Sequence, residues 1–323
     1  MNATNPQSQA YWITSVTGIQ NYIFEGNKLR EMIGASNLAD QLTEEKNDEN
    51  AHARQGILFQ TLDALQIPDN QYSILTAAAS QARIRFKYAE HARKLAYYWP
   101  LVVSQNIPRA PVSQCMVEFQ SDDEFNKARK SAEKKLILSR NCPSPTLPVA
   151  HAGIARSRRT GKPAVEPKKL NKHSNNELVD HAQRKKLKAA DEKVSRTLKK
   201  VLPEKFQYLE LKYFRDKFPE NFEDISANNN DENEYLAVIH ADGNGLGKIV
   251  QEISQAIDSA GHNSKIQSLD SIESIFKDFS SLVDESTCNA VKSAFSNVFG
   301  KEPRKEDDEK YPFRPILCAG DDL

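Results

Sequence analysis

The apolar positions of residues 1–140 change repeatedly between the spacing of a strand and that of a helix. YWITSVTGIQNYIF is rich in β-branched and aromatic residues and predicts a strand that passes into a turn or short helix. Helices are predicted for KLREMIGASNLADQL, AEHARKLAYYW and DDEFNKARKSAEKKL. A hairpin is predicted for YSILTAAASQARIRF, and a strand for PVSQCMVEF. This order predicts a small α+β domain of ferredoxin-like type, with helices on one face of an antiparallel sheet.

The pattern changes in residues 141–230. CPSPTLPVAHAG is proline-rich and predicts irregular structure, and RSRRTGKPAVEPKK predicts a basic loop. Helical spacing resumes near Asn176 and continues to about Lys217, before the polar linker ANNNDENE. Between Arg156 and Lys200 there are fifteen Lys and Arg against five Asp and Glu. We therefore expect a basic, largely helical linker region between two domains.

Residues 231–323 predict a second unit. An apolar run, YLAVIH, predicts a strand, DGNGLG a turn, and the sequence from about Leu246 a helix. SIESIFKDFSSLVDESTCNAVKSAFSNVF predicts more helix, KEPRKEDDEK an acidic loop, and FRPILCAGDDL a final strand. Like the first domain, this unit follows the plan of a strand, a glycine-bearing turn and a helix, so a divergent duplication is one interpretation.

Composition limits the class of protein. A chain of 323 residues is long enough for two domains, and 39% hydrophobic with 27% charged residues is typical of a soluble globular protein. The formal net charge is zero, no stretch approaches the roughly 20 apolar residues of a membrane span, and the N-terminus lacks a secretory signal. The cysteines are scattered without a C-x-x-C pair, which argues against a disulfide framework or zinc ribbon and predicts a reduced, cytoplasmic location. They are Cys115, Cys142, Cys288 and Cys318.

The first candidate site follows the run YLAVIH, where Asp242 precedes three glycines within five residues. A P-loop is excluded because Asp242 stands at its first glycine position, and the dinucleotide fingerprint and the EF-hand loop also fail by spacing. A strand-end carboxylate in front of glycine amides and a helix start suits a phosphate-bound divalent cation. The alternative is a glycine-rich turn whose Asp242 caps the following helix. The candidate cofactor-binding residues here are Gly243, Asn244, Gly245, Gly247 and Lys248.

The second candidate site is ILCAGDDL, where an apolar run ends in Gly320, Asp321 and Asp322. Adjacent aspartates usually indicate an exposed turn, but Gly320 permits a turn that directs both acids to one point. If this strand lies beside the first one, Asp242, Asp321 and Asp322 converge. Three carboxylates so close repel each other unless cations neutralise them. Two Mg²⁺ ions held by these acids are the arrangement for in-line nucleotidyl transfer.

The pair IHADGNGLGK and CAGDDL resembles the second palm domain of the CRISPR type III large subunit, the Cas10/Cmr2 (Csm1) group, whose signature is a GGDD hairpin opposite a strand-end aspartate. GIQNYIFEGNKLREMIGASNLADQL resembles the opening of that family, and RTGKPAV resembles a loop between its two palms. The resemblance spans most of the chain, although only the two acidic motifs are specific to the family.

The resemblance implies an α+β protein of two ferredoxin-like palm domains, the second incomplete at the C-terminus. Residues 1–140 would form a non-catalytic palm, because the hairpin tip from Ala77 to Ser80 lacks acids. Residues 141–230 would form the linker, and residues 231–323 would form the catalytic palm. It further implies ATP or another NTP as substrate, Mg²⁺ or Mn²⁺ as cofactor, and synthesis of cyclic adenylate signal molecules in antiviral defence. Asp242 matches the strand-end ligand, and Gly320, Asp321 and Asp322 match the last three positions of GGDD.

The sequence also departs from the family pattern. Ala319 stands at the first glycine of GGDD, and the nearest string to an H-D nuclease motif, Asp180–His181, is in the wrong order. The chain stops at Leu323, so we interpret it as a fragment or as the first part of a longer protein.

Other functions stay open. A catalytically inactive palm-fold scaffold or RNA-binding subunit would use the basic residues 156–200, including Arg156, Arg158, Arg159, Lys162 and HAQRKKLK, although such runs are commonly solvated helix faces. A GGDEF-like diguanylate cyclase shares the metal chemistry. Partners would be protein subunits of a CRISPR-type complex or further copies of the chain, with no membrane. In the first domain, Tyr22 and Phe24 are expected in the core, and Ser36 serves either packing or nucleotide contact.

Overall fold

The structure is a computed structural model that describes residues 8–43, 56–78, 80–141, 153–169, 176–192, 196–226, 235–259, 269–305 and 308–318. The first unit contains four strands and five helices in the described ranges. They are β1 (Gln9–Val16), α1 (Ile19–Phe24), α2 (Leu29–Thr43), α3 (Ile57–Ala64), β2 (Tyr72–Ala78), β3 (Gln81–Phe86), α4 (Ala89–Asn106), β4 (Val112–Phe119) and α5 (Phe125–Asn141).

The four strands form one antiparallel sheet in the order β2-β3-β1-β4. The central strand β1 places Trp12 opposite Ile84 of β3 and Met116 of β4. Strand, helix, hairpin, helix and strand follow one another as in the ferredoxin-like motif. The sequence therefore predicted the types and the order of the four strands and of α1, α2, α4 and α5, whereas α3 was not predicted as a helix.

Helices cover both faces of this sheet, whereas the sequence predicted cover on one face. On one side Trp12 meets Trp99 of α4 edge to face, with ring centroids 5.8 Å apart. On the other side Tyr11 meets Phe125 of α5 at 5.6 Å. The reason lies in β1, whose consecutive residues Tyr11, Trp12 and Ile13 are all buried, so both faces of the strand need apolar neighbours.

The middle of the chain is less helical than predicted. Part of the expected basic loop forms strand β5 (Ala164–Lys169), which pairs antiparallel with β6 (Asn176–Asp180). The helix expected from Asn176 begins instead at His181, because the buried carboxylate of Asp180 accepts a hydrogen bond from the amide of Gln183 at 2.9 Å and caps it. The helices that follow are α6 (His181–Glu192), α7 (Arg196–Val201), α8 (Leu211–Lys217) and α9 (Glu223–Ser226).

Helix α6 packs closely on α2. A Cβ atom added at Gly34 would lie 1.7 Å from the carbonyl oxygen of Lys186, so the two helix backbones touch at this point. Only glycine leaves room for that approach. The basic residues of the linker region are thereby held against the first unit.

The described part of residues 231–323 contains two helices, α10 (Leu246–Ser259) and α11 (Leu269–Phe299), both predicted. Ile253 of α10 and Phe276 of α11 pack on the second face of the sheet, in the same apolar cluster as Tyr11. The predicted strands are not formed: 235–240 and 313–318 pair with no other described strand. Without a partner strand an apolar run gains no ladder of hydrogen bonds, and Val238 and Ile239 are 79% and 81% exposed.

The last described segment is nevertheless anchored. Tyr311 is fully buried and stacks on Phe218 at 4.8 Å, within a cluster of aromatic rings that includes Phe295 of α11. Further along, Ile316 and Leu317 pack against the core of the first unit. None of the helices in the described ranges is long and apolar enough to cross a bilayer.

Candidate functional site

The Asp242 turn lies on the surface immediately before α10. Gly245 has a φ of +79°, in the left-handed region that glycine adopts at little cost. Its carbonyl accepts hydrogen bonds from the amides of Lys248 at 2.9 Å and Ile249 at 3.1 Å, which start the helix at Leu246. Gly245, and not Asp242, therefore precedes the first helical residue, so the interpretation of Asp242 as the helix cap is wrong.

Asp242 is exposed and makes no hydrogen bond or ion pair within the described ranges. Asn244 is also exposed, Gly243 is partly buried, and Gly247 lies in the first turn of α10. The ammonium of Lys248 lies 3.8 Å from the carboxylate of Glu252, one helical turn away, and is highly exposed. The turn thus presents a carboxylate and an ammonium to solvent at the start of a helix.

This turn approaches the first unit through His240. The Nε2 atom of His240 lies 3.4 Å from the side-chain amide nitrogen of Gln20 in α1. Gln20 belongs to GIQNYIF, the segment that opens the first unit's resemblance. The structure therefore brings the segment before the Asp242 turn to α1, although the two contacting residues are 220 positions apart.

The remaining predicted ligands, Gly320, Asp321 and Asp322, and the neighbouring Ala319 lie outside the described residues. In the part of the chain that the structure describes, no group of three His, Cys, Asp or Glu residues could hold a metal ion. Asp242 supplies one carboxylate oxygen donor of the kind Mg²⁺ prefers. The convergence of the three acids stays a prediction.

The segment that precedes the predicted acids along the chain is held by a contact that the sequence did not indicate. Cys318 is buried, and its Sγ lies 3.6 Å from that of Cys288 in α11. Lys200 donates hydrogen bonds to the carbonyl of Cys318 at 2.9 Å and to Asp284 at 2.8 Å. The hydrogen bond with Cys318 lowers the pKa of the Cys288 thiol, and the charge of Lys200 acts in the same direction.

Two arginines of the basic loop are held by contacts within the protein, and one of them pairs with carboxylates. Arg159 contacts the carboxylates of Glu31 at 3.0 Å and Glu177 at 3.4 Å, and Arg156 donates to the carbonyl of Gly161 at 2.7 Å. These arginines are therefore engaged within the fold. Arg158 and Lys162 are exposed and form no ion pair among the described residues.

The basic face of α6 is also partly internal. Lys186 is buried, donates to the carbonyl of Tyr22 at 2.7 Å, and lies 4.1 Å from the centre of the Tyr22 ring. Burial raises the pKa of the Tyr22 hydroxyl, and the nearby carboxylate of Glu25 raises it further. Burial lowers the pKa of Lys186, against the opposing effect of Glu25. The stretch HAQRKKLK therefore contributes a structural cation as well as surface charge.

The other residues singled out in the first unit differ in how deeply they are buried. Tyr22 and Ser36 are buried, so Tyr22 is in the core as predicted and Ser36 serves packing. Phe24 is 46% exposed, which contradicts its predicted place in the core, because it ends the short helix α1 on the outer side. At the hairpin tip Ser80 is buried and donates to the carbonyl of Ala39 at 3.0 Å.

Comparison with known proteins gives one kind of match. No protein-family model and no curated protein matches the chain. Among solved structures, it is similar to a Csm1–Csm4 cassette in complex with AMPPNP, with 10% identity, a TM-score of 0.31, and 43% of this chain and 20% of that chain covered. For the cassette in complex with cA3 the identity is 10% and the TM-score 0.31, with 44% of this chain and 20% of that chain covered. For the cassette in complex with cA4 the identity is 12% and the TM-score 0.30, with 43% of this chain and 19% of that chain covered. The match spans about a fifth of those chains and less than half of this one.

Proposed function

We propose that this chain is part of a metal-dependent nucleotidyltransferase that converts ATP into cyclic adenylates. The observation that carries the proposal is the Asp242 turn, whose exposed, unpaired carboxylate precedes, by way of Gly243–Gly245, a helix whose first turn contains Gly247 and Lys248. The second support is the acidic string Gly320–Asp322 in the sequence. Helix amides attract phosphate oxygens, and carboxylates bind the cation that accompanies them.

In the proposed reaction Asp242, Asp321 and Asp322 would hold Mg²⁺ or Mn²⁺. Such cations lower the pKa of an attacking hydroxyl and neutralise charge on the leaving group. The turn residues and Lys248 orient the triphosphate. The 3′-hydroxyl of one ATP forms a bond to the α-phosphorus of another, the α–β phosphoanhydride bond breaks, pyrophosphate leaves, and the hydroxyl proton passes to solvent. Repetition within one oligonucleotide closes the ring.

The test is pyrophosphate release from ATP by the full-length protein that contains these residues. We expect Mg²⁺-dependent release, reduced about 100-fold or more when Asp321 and Asp322 are both changed to Ala, because charge stabilisation at the reacting phosphate is lost. Asp242→Asn should have a comparable effect. Asp123→Ala, which removes an exposed aspartate of the first unit, serves as the control and should leave the rate unchanged. Undiminished release by the double variant would exclude the proposal.

A second function, RNA binding by a non-catalytic subunit, is favoured by one observation. Arg158 and Lys162 extend into solvent from the basic loop and have no carboxylate partner among the described residues. If this function is the correct one, RNA binding is weakened by salt and by Arg158→Ala with Lys162→Ala, because phosphate contacts release counterions. Nucleotide binding should then be independent of metal.

A further inference from the structure

A cavity of about 300 Å³ lies between the second face of the sheet and helices α5, α10 and α11. It is at the lower end of the sizes of small-molecule sites, about 300–1,000 Å³. Neither Asp242 nor the basic segment lines it. Its apolar wall comes mainly from Leu75 of β2, Val250 of α10, and Phe276 and Phe279 of α11.

Three charged side chains line the cavity: Arg83, Arg129 and Glu133. Arg83 and Glu133 form an ion pair with a nitrogen–oxygen distance of 3.0 Å. Arg129 is only 7% exposed, and its Nε and Nη2 atoms have no hydrogen-bond partner in the described structure. Its guanidinium lies 4.9 Å from the centre of the Phe276 ring. Two cations and one anion leave the cavity with one uncompensated positive charge.

An arginine cannot relieve this burial by losing its proton, because its intrinsic pKa is too high. A buried charge without a partner is strongly unfavourable, and a contact with an aromatic ring returns only part of the lost hydration. An anion that enters the cavity would satisfy the two free nitrogens of Arg129. A planar carboxylate fits a guanidinium with two parallel hydrogen bonds.

We propose that this cavity binds a small organic carboxylate with an apolar body. The carboxylate pairs with Arg129, and the hydrocarbon part lies against Phe276, Phe279 and Val250. The single uncompensated charge favours a carboxylate over a phosphate monoester, which carries about −1.5 to −2 charges at neutral pH. The proposal is independent of nucleotidyl transfer, since the two sites share no side chain.

The test measures binding of 4-phenylbutyrate to the full chain by titration calorimetry, with 4-phenylbutan-1-ol and phenyl phosphate for comparison. We expect saturable binding of the carboxylate with one site per chain. The alcohol should bind about 10- to 100-fold more weakly, because hydrogen bonds to a charged group are lost. Phenyl phosphate should also bind more weakly than the carboxylate. Tighter binding of phenyl phosphate would overturn the choice of a carboxylate.

Two variants test the position of the site. Arg129→Met keeps an unbranched side chain as far as the position of Nε but removes the guanidinium charge, and it should weaken carboxylate binding about 10- to 100-fold. Lys127→Met removes an exposed charge from the same helix and should change it less than about twofold, because surface charge is screened. Ser280→Leu narrows the cavity from α11 and should also block binding.

Three results would overturn the proposal. They are the absence of saturable carboxylate binding to the unaltered protein, equal binding of the acid and the alcohol, and full binding by a folded Arg129→Met variant. The comparison of acid with alcohol needs no substitution, so the test holds even if that variant does not fold.

Discussion

Glu31 shows how one residue joins the linker region to the first unit. It stands in the first turn of α2, where an acid is favourable for the helix dipole, yet its side chain is only 1% exposed. Burial raises the pKa of Glu31, while the charges of Arg159 and Lys186 act to lower it. The net direction is upward, so burial outweighs the two cations.

The upward shift of the Glu31 pKa predicts that the stability of the protein depends on pH. The pKa of Glu31 in the folded state lies above the unfolded value of about 4.3, so the folded state binds the proton more tightly. The contribution of Glu31 to stability is therefore complete below about pH 4.3 and is lost as the pH rises through the folded-state pKa. We expect the free energy of unfolding of the protein, minus that of Glu31→Gln, to fall as the pH rises from about 4.

Urea unfolding at a series of pH values measures this difference. Glu192→Gln, on the exposed side of α6, provides the comparison for a surface carboxylate. A difference that grows with pH would mean that the ion pair with Arg159 outweighs burial.

At the scale of elements, the contact between α2 and α6 limits what Gly34 can become. Helix propensity alone favours Gly34→Ala by about 1 kcal/mol. The added Cβ would, however, lie 1.7 Å from a backbone carbonyl that has no freedom to rotate away. Overpacking at a rigid contact costs about 1–3 kcal/mol, so the clash prevails and the variant should be less stable.

The urea midpoints of Gly34→Ala and the unaltered protein test whether the substitution lowers stability. Gly161→Ala is a useful control, since a Cβ there meets nothing within 4 Å and only its φ of +66° opposes the change, at about 1 kcal/mol. A Gly34→Ala variant as stable as the unaltered protein would contradict this expectation, because the added Cβ would then cost nothing at the contact between the two helices.

The elements also show what the sequence could predict. β-branched and aromatic residues identified β1, whose two faces are both buried, and apolar spacing identified α4, which buries one face with the helical period. The β2–β3 hairpin followed from two β-rich arms around a turn of small residues. It missed β5 and β6, which form a pair rich in charged residues, where no apolar period marks a strand. It also could not assign Lys186 to the interior, because that depends on Glu25 and Tyr22, 161 and 164 residues away.

At the scale of the whole molecule, the candidate site was predictable only in part. The Asp242 turn and the start of α10 followed from the glycine spacing, a local signal. The strands that should carry the acids depend on pairing between distant segments, and neither segment pairs in the described structure. The cavity beside Arg129 gave no sequence signal, because its walls come from three strands and three helices that are distant along the chain.

The close thiols of Cys288 and Cys318 have a consequence for the end of the chain. Their sulfur atoms need to move from 3.6 Å to about 2.05 Å to bond. A diazene oxidant such as diamide can accept the two protons and two electrons that this releases, and it becomes the hydrazine. We expect a species two hydrogens lighter by mass spectrometry, absent in Cys288→Ser, and more stable by about 3–4 kcal/mol for a loop of this length.

Recovery of both thiols unmodified after diamide treatment would contradict this expectation. If the bond forms, a covalent link fastens the polypeptide to α11 two positions ahead of Gly320. The segment that leads to Asp321 and Asp322 would then stay attached to that helix even where the surrounding packing loosens, and a thiol reductant would restore its freedom.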